Sequence, residues 1–108
     1  MVKYNDPLSP IYFALSDPTR RGILLHVSQS EMCVGEIVDK FNMSFAAISK
    51  HLSVLEQAQL IVKQRRGKEK IVTFNPQTIS NAKMDIENYM SLWDSRLDSL
   101  DKLLKEEK

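Results

Sequence analysis

Apolar residues recur along this chain with two different periods. Between Ser44 and Leu60, Ile48, Leu52 and Leu55 fall on one helical face. Ser44, Phe45, Ser49, Lys50 and His51 occupy the other faces of the first two turns, and no acidic residue comes before Glu56. Such a helix is anchored by its second half and offers a small, polar and basic surface at its start. That surface suits a DNA major groove. Upstream, Pro10 to Ser16 predicts a short helix with Leu8, Ile11, Tyr12 and Leu15 as its apolar side. Asp17-Pro18 then starts a second helix, with Asp at the N-cap and Pro at the first position, where its missing N–H costs nothing. This helix carries Ile23, Leu24 and Val27 and fades at Ser28-Gln29-Ser30. A third is expected from about Val34 to Phe41, with Val34, Ile37, Val38 and Phe41 inward. Asn42-Met43-Ser44 leaves room only for a tight turn, so the third and fourth helices form a helix-turn-helix with Ser44 as N-cap.

After Leu60 the period becomes extended. Ile61 to Arg65 and Lys70 to Phe74 are β-prone and flank Arg66-Gly67-Lys68-Glu69, a hairpin tip in which Gly67 can take positive φ. A basic hairpin following a helix-turn-helix is a wing; the alternative is a solvated edge protected by lysines. Asn75-Pro76 opens the longest helix. Within it Ile86, Met90, Trp93, Leu97, Leu100 and Leu104 follow alternating steps of four and three, a heptad seam with charged outer faces. The seam extends past what a small core can cover, which favours a homodimer over packing within one protomer. The expected fold is mainly α with a small β-hairpin, a winged helix-turn-helix in the order α-α-α-α-β-β-α.

Length and charge sharpen this picture. With 108 residues the chain reads as one domain, 1–108, divided into 1–16, a core with wing at 17–75, and 76–108. No apolar run reaches the roughly 18 residues of a membrane helix, and the first residues do not read as a secretory leader. The single cysteine, Cys33, fits a reducing compartment, so a cytoplasmic protein without a membrane partner is expected. Net charge is only +1, but it is unevenly spread: −1 over residues 1–43, +4 over 44–75 and −2 over 76–108. Positive charge therefore gathers beside the groove-reading helix, as a nucleic-acid footprint requires. An enzyme is disfavoured, because no Gly-rich phosphate loop, metal cluster or nucleophile–base pair is visible.

Four segments carry a resemblance: Leu15-Ser16-Asp17-Pro18-Thr19-Arg20, Glu31-Met32-Cys33-Val34-Gly35-Glu36-Ile37, Ser49-Lys50-His51-Leu52-Ser53-Val54-Leu55 and the wing. In order and spacing they resemble the ArsR-type bacterial winged-helix repressors, over residues from about 11 to 76. The resemblance implies a homodimer held by the first and last helices, bound to an inverted-repeat operator and blocking transcription. The ending from Trp93 to Leu104 is similar to the subgroup without metal sites. Metal-sensing relatives carry Cys-Val-Cys where this chain has Cys33-Val34-Gly35, and others use Asp and His on the last helix, where residues 76–108 hold no histidine. Cys33, His26 and His51 do not make a convincing ligand set, so neither a metal nor another cofactor is expected. Cys33 reads as a small residue at a helix start, or as a thiol activated by the helix N-terminus. Gln59 replaces the usual helix-ending Gly, and a different turn geometry is expected there.

The candidate DNA-facing residues are Ser44, Phe45, Ala46, Ser49, Lys50 and His51 on the helix and Lys63, Arg65, Arg66 and Lys68 on the wing. Phe45 either packs on a thymine methyl or covers the helix-turn-helix. His51 either donates to a phosphate or is anchored in the core. The candidate dimer residues are Leu8, Ile11, Tyr12 and Leu15 with Ile86, Met90, Trp93, Leu97, Leu100 and Leu104. Met90 and Trp93 fit seam packing better than a ligand pocket. The expected partners are double-stranded DNA and a second copy, with an unknown effector ligand or protein left open. The other readings are a winged-helix protein–protein adaptor, or a redox- or ligand-responsive regulator.

Overall fold

The computed structural model describes Asp6 and residues 8–106. The remaining residues of the flanking segments 1–16 and 76–108 lie outside the described residues. The elements are α1 (Leu8–Leu15), α2 (Pro18–Gln29), β1 (Met32–Cys33), α3 (Val34–Phe41), α4 (Phe45–Gln57), β2 (Ile61–Arg66), β3 (Glu69–Phe74) and α5 (Pro76–Glu106).

Local chemistry sets the boundaries. Asp17 accepts from the Arg20 backbone N–H at 3.0 Å and caps α2, with Pro18 as its first residue. Ser44 Oγ accepts from the Ala47 N–H at 3.1 Å and caps α4. The turn between α3 and α4 is closed by Asn42 in the left-handed region, φ 50°. At the end of α4 the expected departure from a left-handed cap does not occur: Gln59 takes φ 61°. The Gln59 N–H donates to Glu56 O (2.9 Å) and the Leu60 N–H to Leu55 O (3.0 Å), a complete Schellman motif. Leu55 and Leu60 are both fully buried there. The Gln59 carbonyl also accepts from the Asn75 amide and the Thr78 hydroxyl, which ties the end of α4 to the start of α5. These contacts hold a glutamine where glycine would be easier.

The sheet has one strand more than the hairpin expected from sequence. β1 pairs antiparallel with β3 through Met32↔Val72 and Cys33↔Ile71, giving the order β1-β3-β2. Two residues are too few to show a period, and their pairing lies about forty residues away. The hairpin is also tighter than expected, since Arg66 pairs with Glu69 and leaves only Gly67-Lys68 as the tip. Gly67 has φ 62° at the first central position, as a type II′ turn requires.

The core lies where α2, α3, α4 and the sheet meet. Its fully buried members are Ile23, Ile37, Ile48, Leu52, Leu55, Leu60, Ile61 and Val72. The α4 stripe read from sequence is thus inside, each side chain contributing about 1.5–3 kcal/mol of burial. Ile11 also belongs here: it is 4% exposed and packs in the core of its own protomer, so it is not available to a partner. Leu8, Leu15 and Ile86 are half-buried against the same core, because the first turns of α5 cross α1. Beyond Ile86 every described residue of α5 is exposed, and the molecule is 67 Å long as a result. No helix among the described residues is long and apolar enough to cross a membrane.

Candidate nucleic-acid interface

The start of α4 is open to solvent. Phe45, Ala46 and Lys50 are exposed and Ser49 is half-buried. Phe45 is 62% exposed, so it does not cover the helix-turn-helix. Instead it lines a shallow cleft of about 340 Å³ with Cys33, Val34, Gly35, Lys68, Glu69 and Lys70. The cleft brings the first turn of α4, the start of α3 and the wing tip together. Lys68 and Lys70 are exposed and, like Lys50, have no ion-pair partner among the described residues.

The other wing cations are already engaged. Lys63 pairs with Glu56 at 3.3 Å, Arg65 Nε donates to Gly67 O at 3.4 Å, and Arg66 makes a two-pronged contact with the Glu31 carboxylate. Arg65 and Arg66 remain exposed, whereas Lys63 is half-buried.

His51 sits deeper than a free surface histidine. Its side chain is 19% exposed, and Nδ1 lies 3.3 Å from Arg20 Nη1 and 3.9 Å from Asp17 Oδ2. The anchored reading thus describes one side of the ring. Its anchor is Arg20, which composition and spacing did not single out. Arg20 is 9% exposed; Nε donates to Ala14 O and Nη2 to Phe13 O, both at 2.9 Å, and the guanidinium lies 5.1 Å from the centre of the Phe13 ring. One side chain therefore satisfies two terminal carbonyls of α1 and reaches α4. Arg21 adds a bond to Leu15 O at 2.7 Å. The Asp17-Pro18-Thr19-Arg20 spacing was the available signal: its aspartate caps α2 and its arginine caps α1. The Arg20 backbone N–H, followed by the nearby His51 and Arg20 charges, holds the Asp17 carboxyl below its ordinary 3.8.

Cys33 precedes α3, and the Glu36 carboxylate accepts from its backbone N–H at 3.1 Å. The same carboxylate also accepts from the thiol and so pushes it above its ordinary value, which goes against the reading of Cys33 as activated by the helix N-terminus and favours that of a small residue at a helix start. Among the described residues no three His, Cys, Asp or Glu side chains are grouped to hold a metal ion.

A second surface lies on α1 and α5. Tyr12, Met90, Trp93, Leu97, Leu100 and Leu104 are all about half exposed, and Tyr89, Leu92 and Leu103 widen the seam read from the heptads. Together with Ile86 the α5 members span roughly 160° of arc at 3.6 residues per turn, wider than a two-stranded seam.

The sequence profile described as bacterial regulatory protein, arsR family, matches residues 17–63, from the cap of α2 into β2. The transcriptional repressor SdpR of Bacillus subtilis is 32% identical over 83% of this chain and 100% of its own length. The chain belongs to the arsR family. It is a DNA-binding transcriptional regulator and not an enzyme. YuzN of the same organism, an uncharacterized HTH-type transcriptional regulator, is 40% identical over 66% of this chain and 85% of its own. An ArsR-like transcriptional regulator from Rhodococcus sp. RHA1 superposes with a TM-score of 0.77 at 25% identity, over 90% of this chain and 92% of the other. Within this arsR-family chain the matched segment holds both the exposed start of α4 and the capping arginine.

Proposed function

We propose that the chain is a cytoplasmic repressor that binds an inverted-repeat operator as a homodimer, autoregulates and does not respond to metal. The observation that carries this reading is the cleft where Phe45, Lys68 and Lys70 meet, because it puts the start of the recognition helix and the wing on one side. In each protomer the start of α4 enters a major groove. Phe45 and Ala46 meet base edges or thymine methyls, Ser49 and Lys50 lie alongside, and Ser44 and the helix N-terminus approach a phosphate. Arg65, Arg66 and Lys68 follow the backbone next to it, with Lys63 behind them. The second copy covers Tyr12 and the exposed seam of α5 from Met90 to Leu104, a surface whose width fits two helices of the partner better than one. Gly35 in place of a second thiolate, and a last helix without histidine, support a signal other than a metal.

The test is a salt titration of DNA binding. If two protomers neutralise about 6–10 phosphates, affinity should fall about 10³–10⁵-fold between 50 and 200 mM salt. A complex almost indifferent to salt would refute the backbone contacts and favour a protein partner for the wing.

A further inference from the structure

Away from the exposed surface, a buried polar cluster centres on Arg20. Its guanidinium donates to Phe13 O and Ala14 O at the end of α1 and approaches His51 Nδ1 on α4. A guanidinium has donors only, so the contact to His51 requires a lone pair on Nδ1. In neutral His51 the proton therefore sits on Nε2. Asp17 Oδ2 is 3.9 Å from Nδ1, and the same carboxylate accepts the Arg20 backbone N–H. Nε2 has no hydrogen-bond partner among the described residues. Since no buried side-chain nitrogen or oxygen among the described residues is left unpaired, Nε2 reaches solvent.

We propose that Arg20 is a positioning residue for DNA binding: it fixes His51 in the Nε2–H form and turns that N–H outward as a phosphate donor. This rests on the reading of α4 as the DNA-facing helix. Both earlier descriptions of His51 then hold for different atoms, Nδ1 being anchored and Nε2 being presented. The anchor is stiff because the same guanidinium is held by two backbone carbonyls and by the Phe13 ring. The arrangement also links α1, which carries Tyr12 of the proposed dimer surface, to the recognition helix through one side chain.

Long-range ¹H–¹⁵N NMR of the free protein at about pH 8, above the ordinary histidine range, reads the tautomer. His51→Phe identifies which ring signals are His26's. The wild type should show His51 protonated at Nε2 alone, and Arg20→Met should lose that single form. Arg20→Lys keeps the charge but cannot span three acceptors. It serves as the folded comparison if Arg20→Met unfolds, and it should also loosen the tautomer. On a generic duplex at low salt, His51→Phe and Arg20→Met should each weaken binding about tenfold. The double variant should bind no worse than His51→Phe alone. An Nδ1–H form in the wild type, an unchanged tautomer in folded Arg20→Lys, or additive losses would overturn the positioning role. A correct tautomer with normal binding by His51→Phe would overturn the phosphate contact while leaving the DNA-binding reading of the rest of α4 intact.

Discussion

Gln59 holds a left-handed backbone at the end of α4, which costs a side-chain-bearing residue about 1–2 kcal/mol. Its hydrogen bonds are backbone-mediated and survive a change of side chain. Gln59→Gly should therefore stabilise the fold by a net of about 0.5–1 kcal/mol, after allowing for the greater chain entropy of glycine, read as a higher urea midpoint. A lower midpoint would mean that the Gln59 side chain itself contributes. Phe45 stands where a polar side chain would read a base by hydrogen bonding. Its 62% exposure leaves the ring available for apolar contact only. Phe45→Ala should change preference at one or two base pairs per half-site and leave the rest of the sequence preference intact, measured with a panel of substituted duplexes. Unchanged preference would remove Phe45 from base reading. At this scale the caps at Asp17 and Ser44 were legible because one polar atom meets one local N–H. Arg20 was not, because its partners on α1 and α4 are brought together only by the tertiary fold.

The wing shows what period and charge can and cannot tell. Its strands and basic character followed from alternation and composition, yet the ion pair of Arg66 depends on a segment distant in sequence. Arg66 is held by Glu31, which lies 35 positions earlier, between α2 and β1. An exposed pair of this kind adds at most about 1 kcal/mol to stability. It does compete directly with any phosphate for the guanidinium. Glu31→Gln should accordingly raise DNA affinity several-fold at low salt and steepen the salt dependence by about one ion per protomer. Weaker binding would instead show that the pair holds the wing in its binding position. β1 escaped the sequence for a related reason, since two residues become a strand only because β3 offers them an edge. The helices, by contrast, were legible nearly to their ends, as each carries several apolar residues at one period between clear punctuation.

At the level of the whole molecule, α5 decides what the protein can be. Its first turns pack on the core, and from Glu87 to Glu106 it presents an unbroken run of exposed residues with eight large apolar side chains on one side. Burying such side chains at about 1.5–3 kcal/mol each exceeds the usual cost of association, so a second copy is the simplest cover. The seam itself was legible from its heptads. Ile11, read from the stripe of α1 as a dimer residue, packs instead in its own core, because an apolar stripe on a short helix does not reveal which neighbour will bury it. A symmetric pair carries two recognition helices related by a two-fold axis, and their spacing must appear in the DNA. Selection of binding sites by the purified protein from a library of random duplexes measures this directly. Enrichment of an inverted repeat whose half-site centres lie about 10 base pairs, one helical turn, apart is the expected result. Enrichment of a single half-site without symmetry, or no enrichment at low salt, would contradict it.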